Sequence, residues 1–277
     1  MGKLAIIAGD GTLPLLIAQE AKSQGWEIVS IVVEGEGKEE DFRCFGKTYC
    51  VKPEQLGKLI EILLSENVKD AVMAGKVHKK RIFKELQPDA RSLKVFFSLP
   101  NTTDDTLLGA IAAELESEGI KLHPTTFCLN GITVKEGMIV GLSLSAEQWK
   151  DVLFGWKIAK EIGRMDIGQT VVVKGGSVLA VEAIEGTDEA IKRGGKLGGG
   201  GSVVIKVAKP QQDIRFDMPV VGVNTIQSMI ESKATLLAIE AGWTILLDKE
   251  KIRAVAGEAG ITIVAITDPP PNKIPFS

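Results

Sequence analysis

Residues 3–14, KLAIIAGDGTLP, carry the pattern that decides the fold class of the chain. The apolar run at residues 3–8 predicts a buried strand, and the glycines of 9–12 predict a tight turn. Pro14 suits the first turn of a helix that follows. A strand that leads through a glycine turn into a helix is typical of parallel α/β sheets, which bind phosphates or nucleotides at the helix N-terminus.

Strands and helices continue to alternate after this opening, which indicates a parallel sheet. The first half is predicted to contain strands at 27–33, 48–51 and 71–74 and helices at 53–65, 90–97 and 106–118. The second half is predicted to contain helices at 146–163, 188–193, 226–241 and 249–258 and strands at 170–174, 178–183, 203–207, 244–247 and 261–265. We therefore predict an α/β protein with two domains. Residues 1–130 form a Rossmann-like N-terminal domain with a parallel sheet, and residues 131–277 form a mixed α/β domain that carries the catalytic motifs.

Composition excludes several classes of function. The chain has 277 residues and a formal net charge of -3, so no general attraction to nucleic acid is expected. Its three cysteines form no CxxC pair, which argues against a disulfide framework or a zinc ribbon and favours a reducing cytoplasm. With only two histidines, sites that need several imidazoles are excluded. No apolar run reaches the roughly 18 to 20 residues that a membrane-spanning helix requires.

The loop Gly9–Thr12 is the first candidate binding site. It lies where a doubly wound domain presents backbone amides to a phosphate or a nucleotide. The dinucleotide fingerprint G-x-G-x-x-G is incomplete, because Pro14 stands where the third glycine is expected, and a nicotinamide cofactor is therefore disfavoured. A tight turn without any ligand explains the two glycines as well.

Residues 209–219, KPQQDIRFDMP, are the most informative polar segment. If this segment is extended, Asp213, Arg215 and Asp217 lie on one side of the chain. Carboxylates are ligands for magnesium or manganese, and an arginine between them can bind a phosphate oxygen. The alternative is a solvated loop with one Asp–Arg pair.

Two acidic segments precede helices. Asp104 belongs to TTDD, where it can cap the helix or contact a metal or a sugar hydroxyl. Glu182, Thr187 and Asp188 belong to EAIEGTD, which is an ordinary strand-to-helix connection by itself. Nearby lysines, among them Lys206, and the glycine run at 198–201 favour a phosphate-binding role.

Four motifs together resemble one known family: IAGDGTLP, NTTDDTLL, VVKGGSVLAVEAIEGTDEAIKRGG and KPQQDIRFDMPVVGVNTI. The chain resembles the UDP-2,3-diacylglucosamine pyrophosphatases of lipid A biosynthesis that were once a domain of unknown function, as distinct from the calcineurin-like type. The resemblance covers nearly the whole chain. It implies two α/β domains, a divalent metal, and cleavage of the diphosphate of UDP-2,3-diacylglucosamine to UMP and 2,3-diacylglucosamine 1-phosphate.

The resemblance also implies roles for particular residues. It marks Asp217 as the essential acid of an RxDxP segment and the Gly9–Thr12 loop as a contact for the uridine or the diphosphate. The predicted catalytic residues are Asp213, Arg215 and Asp217, and the predicted metal ligands are Asp213 and Asp217. The predicted substrate-binding residues are Gly9, Asp10, Gly11, Thr12, Lys76, Asp104, Glu182, Thr187, Asp188 and Lys206.

The expected activity is hydrolysis by water assisted by Mg²⁺ or Mn²⁺. Two alternatives stay open, a nucleotide-dependent oxidoreductase and a non-catalytic protein that binds a nucleotide sugar or a lipid. A lipid substrate implies transient contact with a membrane surface, so we expect a cytoplasmic protein that can be peripheral at the inner membrane. No nucleic-acid partner is expected, and a homodimer stays open.

Overall fold

The computed structural model describes residues 2–77, 88–99, 104–268 and 270, without the side chains of Asp104 and Asp105. The chain divides into two compact units. The first unit comprises Met1–Asn130 together with Asp213–Asp217, and the second comprises Gly131–Gln212 together with Met218–Ser277. The segment Asp213–Asp217, placed in the second domain by the sequence analysis, thus belongs to the first unit.

The first unit contains a five-stranded parallel sheet. Its strands are β1 (Lys3–Ala8), β2 (Glu27–Val33), β3 (Gly46–Val51), β4 (Asp70–Ala74) and β5 (Lys121–His123), in the order β3-β2-β1-β4-β5. Its helices are α1 (Leu13–Ser23), α2 (Glu39–Phe42), α3 (Leu56–Ser65), α4 (Ala90–Ser98) and α5 (Asp104–Ser117). The strand order reverses between β1 and β4. Open α/β sheets bind ligands at this switch point, outside the carboxyl ends of the strands.

Burial explains why β1 lies at the centre of this sheet. Every residue from Leu4 to Ala8 is buried, which is the pattern of a strand covered on both faces. Ala5 and Ile7 pack with residues of α3 and α5 in one apolar core. Helix α1 buries Ile17, Ala18 and Ala21, which recur at helical spacing.

The second unit contains a six-stranded mixed sheet in the order β6-β13-β11-β9-β7-β8. Its strands are β6 (Gly137–Val140), β7 (Thr170–Lys174), β8 (Ser177–Val181), β9 (Val203–Lys206), β11 (Leu236–Glu240) and β13 (Thr262–Ile266). Strands β9, β11 and β13 are parallel, whereas β6 and β7 run antiparallel to their neighbours. Two short strands, β10 (Val220–Val221) and β12 (Ile245–Leu246), pair separately. The helices are α6 (Ala146–Arg164), α7 (Thr187–Gly198), α8 (Val223–Glu231) and α9 (Lys249–Glu258).

The predicted α/β class, with a parallel sheet in the first domain and a mixed α/β second domain, is confirmed. One predicted element is wrong. The helix expected over 226–241 ends at Glu231, and β11 follows it as a central strand between β9 and β13. The run from Leu236 to Glu240 is buried throughout, and short apolar runs fit a buried helix and a buried strand equally well. Within the described part of the chain, no helix combines the length and apolarity needed to cross a membrane.

Candidate functional site

The loops that follow β1 and β4 are joined at the switch point of the first sheet. The Gly9 N–H donates to the carbonyl oxygen of Ala74 at 2.8 Å. Asp10 and Lys76 exchange backbone hydrogen bonds of 2.8 and 2.9 Å. These bonds place the Gly9–Thr12 loop beside Lys76 at the carboxyl edge of the sheet. Asp10, Gly11, Thr12 and Lys76 are all exposed there.

Close backbone contact explains two glycines in these loops. A Cβ on Gly9 would lie 2.6 Å from the carbonyl oxygen of Lys76. A Cβ on Gly75, whose φ is +91°, would lie 2.7 Å from the carbonyl carbon of Gly9. Thr12 makes no capping side-chain hydrogen bond with α1. The first turn of α1 therefore presents its backbone amides toward this edge, as anion sites at helix N-termini do.

Thr125 brings the Asp213–Asp217 segment to the same edge. This residue follows β5 and is 3% exposed. Its N–H donates to the carbonyl oxygen of Ile214 at 2.9 Å. Its hydroxyl lies 3.3 Å from the carbonyl oxygen of Met73 and 3.4 Å from that of Arg215. Met73 directly precedes Ala74, whose carbonyl oxygen accepts from Gly9. The first unit therefore holds the Gly9–Thr12 loop and the Asp213–Asp217 segment at one edge of its sheet.

The Asp213–Asp217 segment is a turn, so the predicted extended geometry is wrong. The N–H groups of Phe216 and Asp217 both donate to the carbonyl oxygen of Asp213, at 3.3 and 3.1 Å. A chain closed in this way does not alternate its side chains between two sides, as a strand does. Phe216 packs against the apolar core of the first unit and fixes the turn there.

Arg215 is engaged by two carboxylates. Its Nη2 lies 2.7 Å from Asp213 Oδ2, and its Nε donates to both carboxylate oxygens of Asp213 at 3.1 Å. Its Nη1 donates to Glu116 Oε1 at 2.7 Å. The hydrogen bond from Arg215 lowers the pKa of Asp213, and Asp213 raises the pKa of the guanidinium in return. This geometry suits Asp213 to fixing the turn, whereas Asp217 lies partly buried at its end.

In the second unit, Glu182, Thr187 and Lys206 form one hydrogen-bonded group. Lys206 ends β9 and is 4% exposed, and its Nζ donates to Thr187 Oγ1 at 2.7 Å. The Thr187 hydroxyl donates to Glu182 Oε1 at 2.8 Å, and the Gln169 N–H donates to Glu182 Oε2 at 3.3 Å. Burial by itself would raise the pKa of Glu182. The charge of Lys206 and these hydrogen bonds outweigh burial, and the pKa is lowered.

Helix α7 separates two features that the sequence suggested to be neighbours. Thr187 and Asp188 open the helix, and Asp188 accepts a hydrogen bond of 3.1 Å from Thr225 at the start of α8. The glycine run at 198–201 lies at the other end of this 12-residue helix. At about 1.5 Å per residue, Lys206 and the glycine run are therefore not parts of one phosphate site. The proposed cooperation between them is wrong.

The structure also shows a buried polar cluster that sequence reasoning missed. Glu240 ends β11 and is 2% exposed. Its carboxylate accepts from Lys160 Nζ at 2.8 Å and from the Ala208 N–H at 2.7 Å. Lys160 also lies 3.2 Å from Asp268, which follows β13. Burial raises the pKa of Glu240, although Lys160 and Ala208 act in the opposite direction.

Comparisons with known proteins identify the family. Family models of the LpxI N-terminal domain and the LpxI C-terminal domain match residues 3–132 and 135–264. The UDP-2,3-diacylglucosamine pyrophosphatase LpxI of Caulobacter vibrioides is 32% identical, over 96% of this chain and 98% of that protein. The chain belongs to the LpxI family. The resemblance inferred from the four motifs is thereby confirmed.

Two solved structures show weak similarity to this LpxI-family chain. The CobK precorrin-6A reductase is 11% identical with a TM-score of 0.33, covering 99% of this chain and 90% of its own. The biotin carboxylase subunit of a pyruvate carboxylase is 15% identical with a TM-score of 0.27, covering 67% of this chain and 39% of its own. Similarities this low support no argument about function.

The described residues of this LpxI-family chain contain no preformed metal cage. In 2–77, 88–99, 104–268 and 270, no three His, Cys, Asp or Glu side chains gather as a metal site. The side chain of Asp104, a predicted substrate contact at the start of α5, lies outside the described residues. Mg²⁺ often needs only one or two carboxylates, because substrate phosphates and waters complete its shell. Asp217 is a partly buried carboxylate, and carboxylate oxygens are the type of ligand that Mg²⁺ prefers.

Proposed function

We propose that this chain hydrolyses the diphosphate of UDP-2,3-diacylglucosamine to UMP and 2,3-diacylglucosamine 1-phosphate. One structural observation carries the proposal. The turn that bears Asp217 is bonded through Thr125 to the same sheet edge as the Gly9–Thr12 loop. This edge combines backbone amides that suit a diphosphate with a carboxylate that suits a water or a cation. The name of the Caulobacter relative, aligned over nearly the full length, agrees with this chemistry.

In the proposed reaction, the N–H groups of Gly11 and Thr12 and those of the first turn of α1 other than Pro14 bind the diphosphate oxygens, because the N–H groups of Gly9 and Asp10 already bond to the β4 loop. Lys76 lies beside this loop and adds a positive charge. Asp217 orients the attacking water toward one phosphorus and accepts its proton. Asp213 and Arg215 act as positioning residues, because their ion pair holds the turn in which Asp217 lies.

We propose Mg²⁺ or Mn²⁺ as the cofactor, with Asp217 as its protein ligand. When bound, such an ion stabilises the negative charge that develops on the phosphate oxygens. Zinc is disfavoured, since the chain has only two histidines and three cysteines, and the protein offers oxygen donors here.

In the second unit, we propose that Thr187 and Asp188 contact the substrate at the N-terminus of α7. Glu182 and Lys206 are buried and bond to Thr187 directly, so they fix its hydroxyl in place. Their proposed role is therefore to position Thr187. The predicted cytoplasmic location and the homodimer stay predictions.

The test is product analysis by mass spectrometry with purified chain, UDP-2,3-diacylglucosamine and Mg²⁺ in water labelled with heavy oxygen. UMP and 2,3-diacylglucosamine 1-phosphate should appear together. One heavy oxygen atom should be found in only one of the two products, and the labelled product contains the phosphorus that water attacked. EDTA should stop turnover, and Mg²⁺ or Mn²⁺ should restore it.

Each rival function predicts a different outcome of the same experiment. An oxidoreductase would copurify with a cofactor that absorbs light and would leave the diphosphate intact. A binding protein would retain the substrate without turnover. Turnover that persists after full chelation, or that returns only with zinc, would contradict the proposed cofactor but not the reaction.

A further inference from the structure

Helix α4 (Ala90–Ser98) is attached firmly to the first unit along one side. Asp89 caps its N-terminus by accepting from the Ser92 N–H at 2.8 Å, and it also accepts from the Gly57 N–H of α3 at 2.7 Å. Arg91 forms ion pairs with Glu114 of α5 and with Glu118, which directly follows that helix. Val95 is 5% exposed and belongs to the core of the unit. The helix therefore has a fixed inner face.

The other side of α4 exposes a stripe of large apolar side chains. Leu93, Phe96 and Phe97 are 39%, 51% and 80% exposed. Their spacing of i, i+3 and i+4 places them on one helical face, and the two phenylalanine rings pack edge to face at 6.1 Å. Lys94 is exposed between them in sequence. Aromatic side chains clustered in this way on a surface mark an interaction site more often than isolated apolar residues do.

The sequence around this stripe is strongly basic. Residues 76–94 contain seven lysines and arginines but only two acidic residues, whereas the whole chain has a net charge of -3. Four of the seven, at positions 79, 80, 81 and 84, lie outside the described residues, so this surplus is a property of the sequence. Because Arg91 is paired with Glu114 and Glu118, its charge is already compensated. Without Arg91, six basic and two acidic residues remain in this stretch of sequence. Basic clusters next to an amphipathic helix are attracted to anionic lipid headgroups.

We propose that the stripe formed by Leu93, Phe96 and Phe97 docks on the surface of a bilayer that contains anionic phospholipids. The aromatic rings enter the level of the headgroups, and Lys94 contacts lipid phosphates. This inference rests on the proposed function, which supplies the reason for docking, because a substrate with two acyl chains resides in a membrane. The binding itself does not depend on catalysis and can be measured without the substrate.

The test is flotation of the full chain with vesicles of phosphatidylcholine alone or mixed with phosphatidylglycerol. The chain should float with the anionic vesicles, less so as salt is added, and little with the neutral ones. The double variant Phe96→Ser/Phe97→Ser should bind the anionic vesicles roughly tenfold more weakly. Leu142→Ser is the matched control, because Leu142 is an 83% exposed apolar side chain of the second unit. This control should bind like the wild type.

Two results would overturn the inference. One is absence of wild-type binding to anionic vesicles, and the other is equal binding by the double variant. Concentration-dependent dimers that the double variant abolishes, without vesicle binding, would assign the stripe to a second copy of the chain instead. Hydrolysis of detergent-dispersed substrate should be unchanged in the double variant. Failure of the wild type in that assay would contradict the proposed function and leave the vesicle result standing.

Discussion

The Thr125 N–H donates to the carbonyl oxygen of Ile214 at 2.9 Å. Through this bond, a turn encoded in the second half of the sequence becomes part of the first compact unit. The turn bears Asp217, and the sheet edge that receives it also carries the Gly9–Thr12 loop. A mechanism in which Asp217 acts on a diphosphate held by that loop is therefore consistent with contacts inside a single unit.

Gly9→Ala should separate the two loops at the switch point. The added methyl group would lie 2.6 Å from a backbone oxygen, which cannot move aside as a flexible side chain can. We expect a loss of about 1 to 3 kcal/mol of unfolding free energy together with reduced turnover. Chemical denaturation and steady-state kinetics provide the two measurements.

Gly109→Ala is the control for that variant. Gly109 lies in α5, and a Cβ added there would meet no described atom within 4 Å outside its own stretch of helix. Alanine should raise stability by about 0.5 to 1 kcal/mol, since it is the better helix former. If Gly9→Ala proved as stable and as active as this control, the close approach of the two loops would not matter for function.

Asp213→Asn distinguishes a positioning role from a metal-binding role. Both carboxylate oxygens of Asp213 accept hydrogen bonds from Arg215, so we expect a fall in kcat of roughly tenfold or less. The Mg²⁺ concentration needed for half-maximal activity should stay the same. A fall in kcat as large as that of Asp217→Asn, together with a higher Mg²⁺ concentration for half-maximal activity, would instead make Asp213 a metal ligand, as the sequence suggested.

Sequence reasoning succeeded where the signal is local. The strand, turn and helix around Gly9–Thr12 follow from apolar periodicity and from glycine and proline at fixed places. It failed for the Asp213–Asp217 segment, because alternating charged residues fit a strand or a turn. The hydrogen bonds to the Asp213 carbonyl make it a turn, and the bond from Thr125 fixes its place. Thr125 itself gave no signal, since its partners are distant in sequence.

The same limit applies to buried charges in the second unit. Glu240 fell inside a predicted helix, so its meeting with Lys160 and Asp268 at the strand ends could not be foreseen. Tertiary pairing of β11 on both sides overrides the local preference of its residues. Glu182 and Thr187 were recognised from the nearby lysines and glycine run and from the family motif, not from the contacts that hold them in place.

Glu182→Gln should destabilise the second unit. The change leaves Lys206 buried without its compensating charge, which costs about 3 to 5 kcal/mol. Adding Lys206→Met should recover part of this loss, because the unpaired ammonium is then removed. Denaturant titration of both variants measures the effect.

The exposed pair of Glu250 and Arg253 offers the matched comparison, with side chains 85% and 43% exposed. Glu250→Gln should change the unfolding free energy by no more than about 0.5 kcal/mol. Equal losses of unfolding free energy in Glu182→Gln and Glu250→Gln would show that the group around Lys206 stabilises the protein no more than a surface pair does.

Glu66 should make stability depend on pH in the acidic range. Hydrogen bonds from Tyr49 and Lys47 lower the pKa of Glu66 from 4.5 to about 2. A lowered folded-state pKa stabilises the protein above the unfolded value and loses that effect as pH falls through the folded value. The stability gap between the wild type and Glu66→Gln should therefore be full above about pH 5 and shrink toward pH 2. A gap that widens on acidification would contradict the assignment.

The most direct measurement of the central claim is kcat for Asp217→Asn with UDP-2,3-diacylglucosamine and Mg²⁺, beside the thermal melting of the same protein. If Asp217 holds the attacking water or the cation, kcat should fall by a factor on the order of 10² to 10³ or more, while Tm and substrate binding stay close to wild type. Asp248→Asn, an exposed aspartate of the second unit without a capping hydrogen bond, should retain full activity. Turnover near the wild-type value in folded Asp217→Asn would contradict the account.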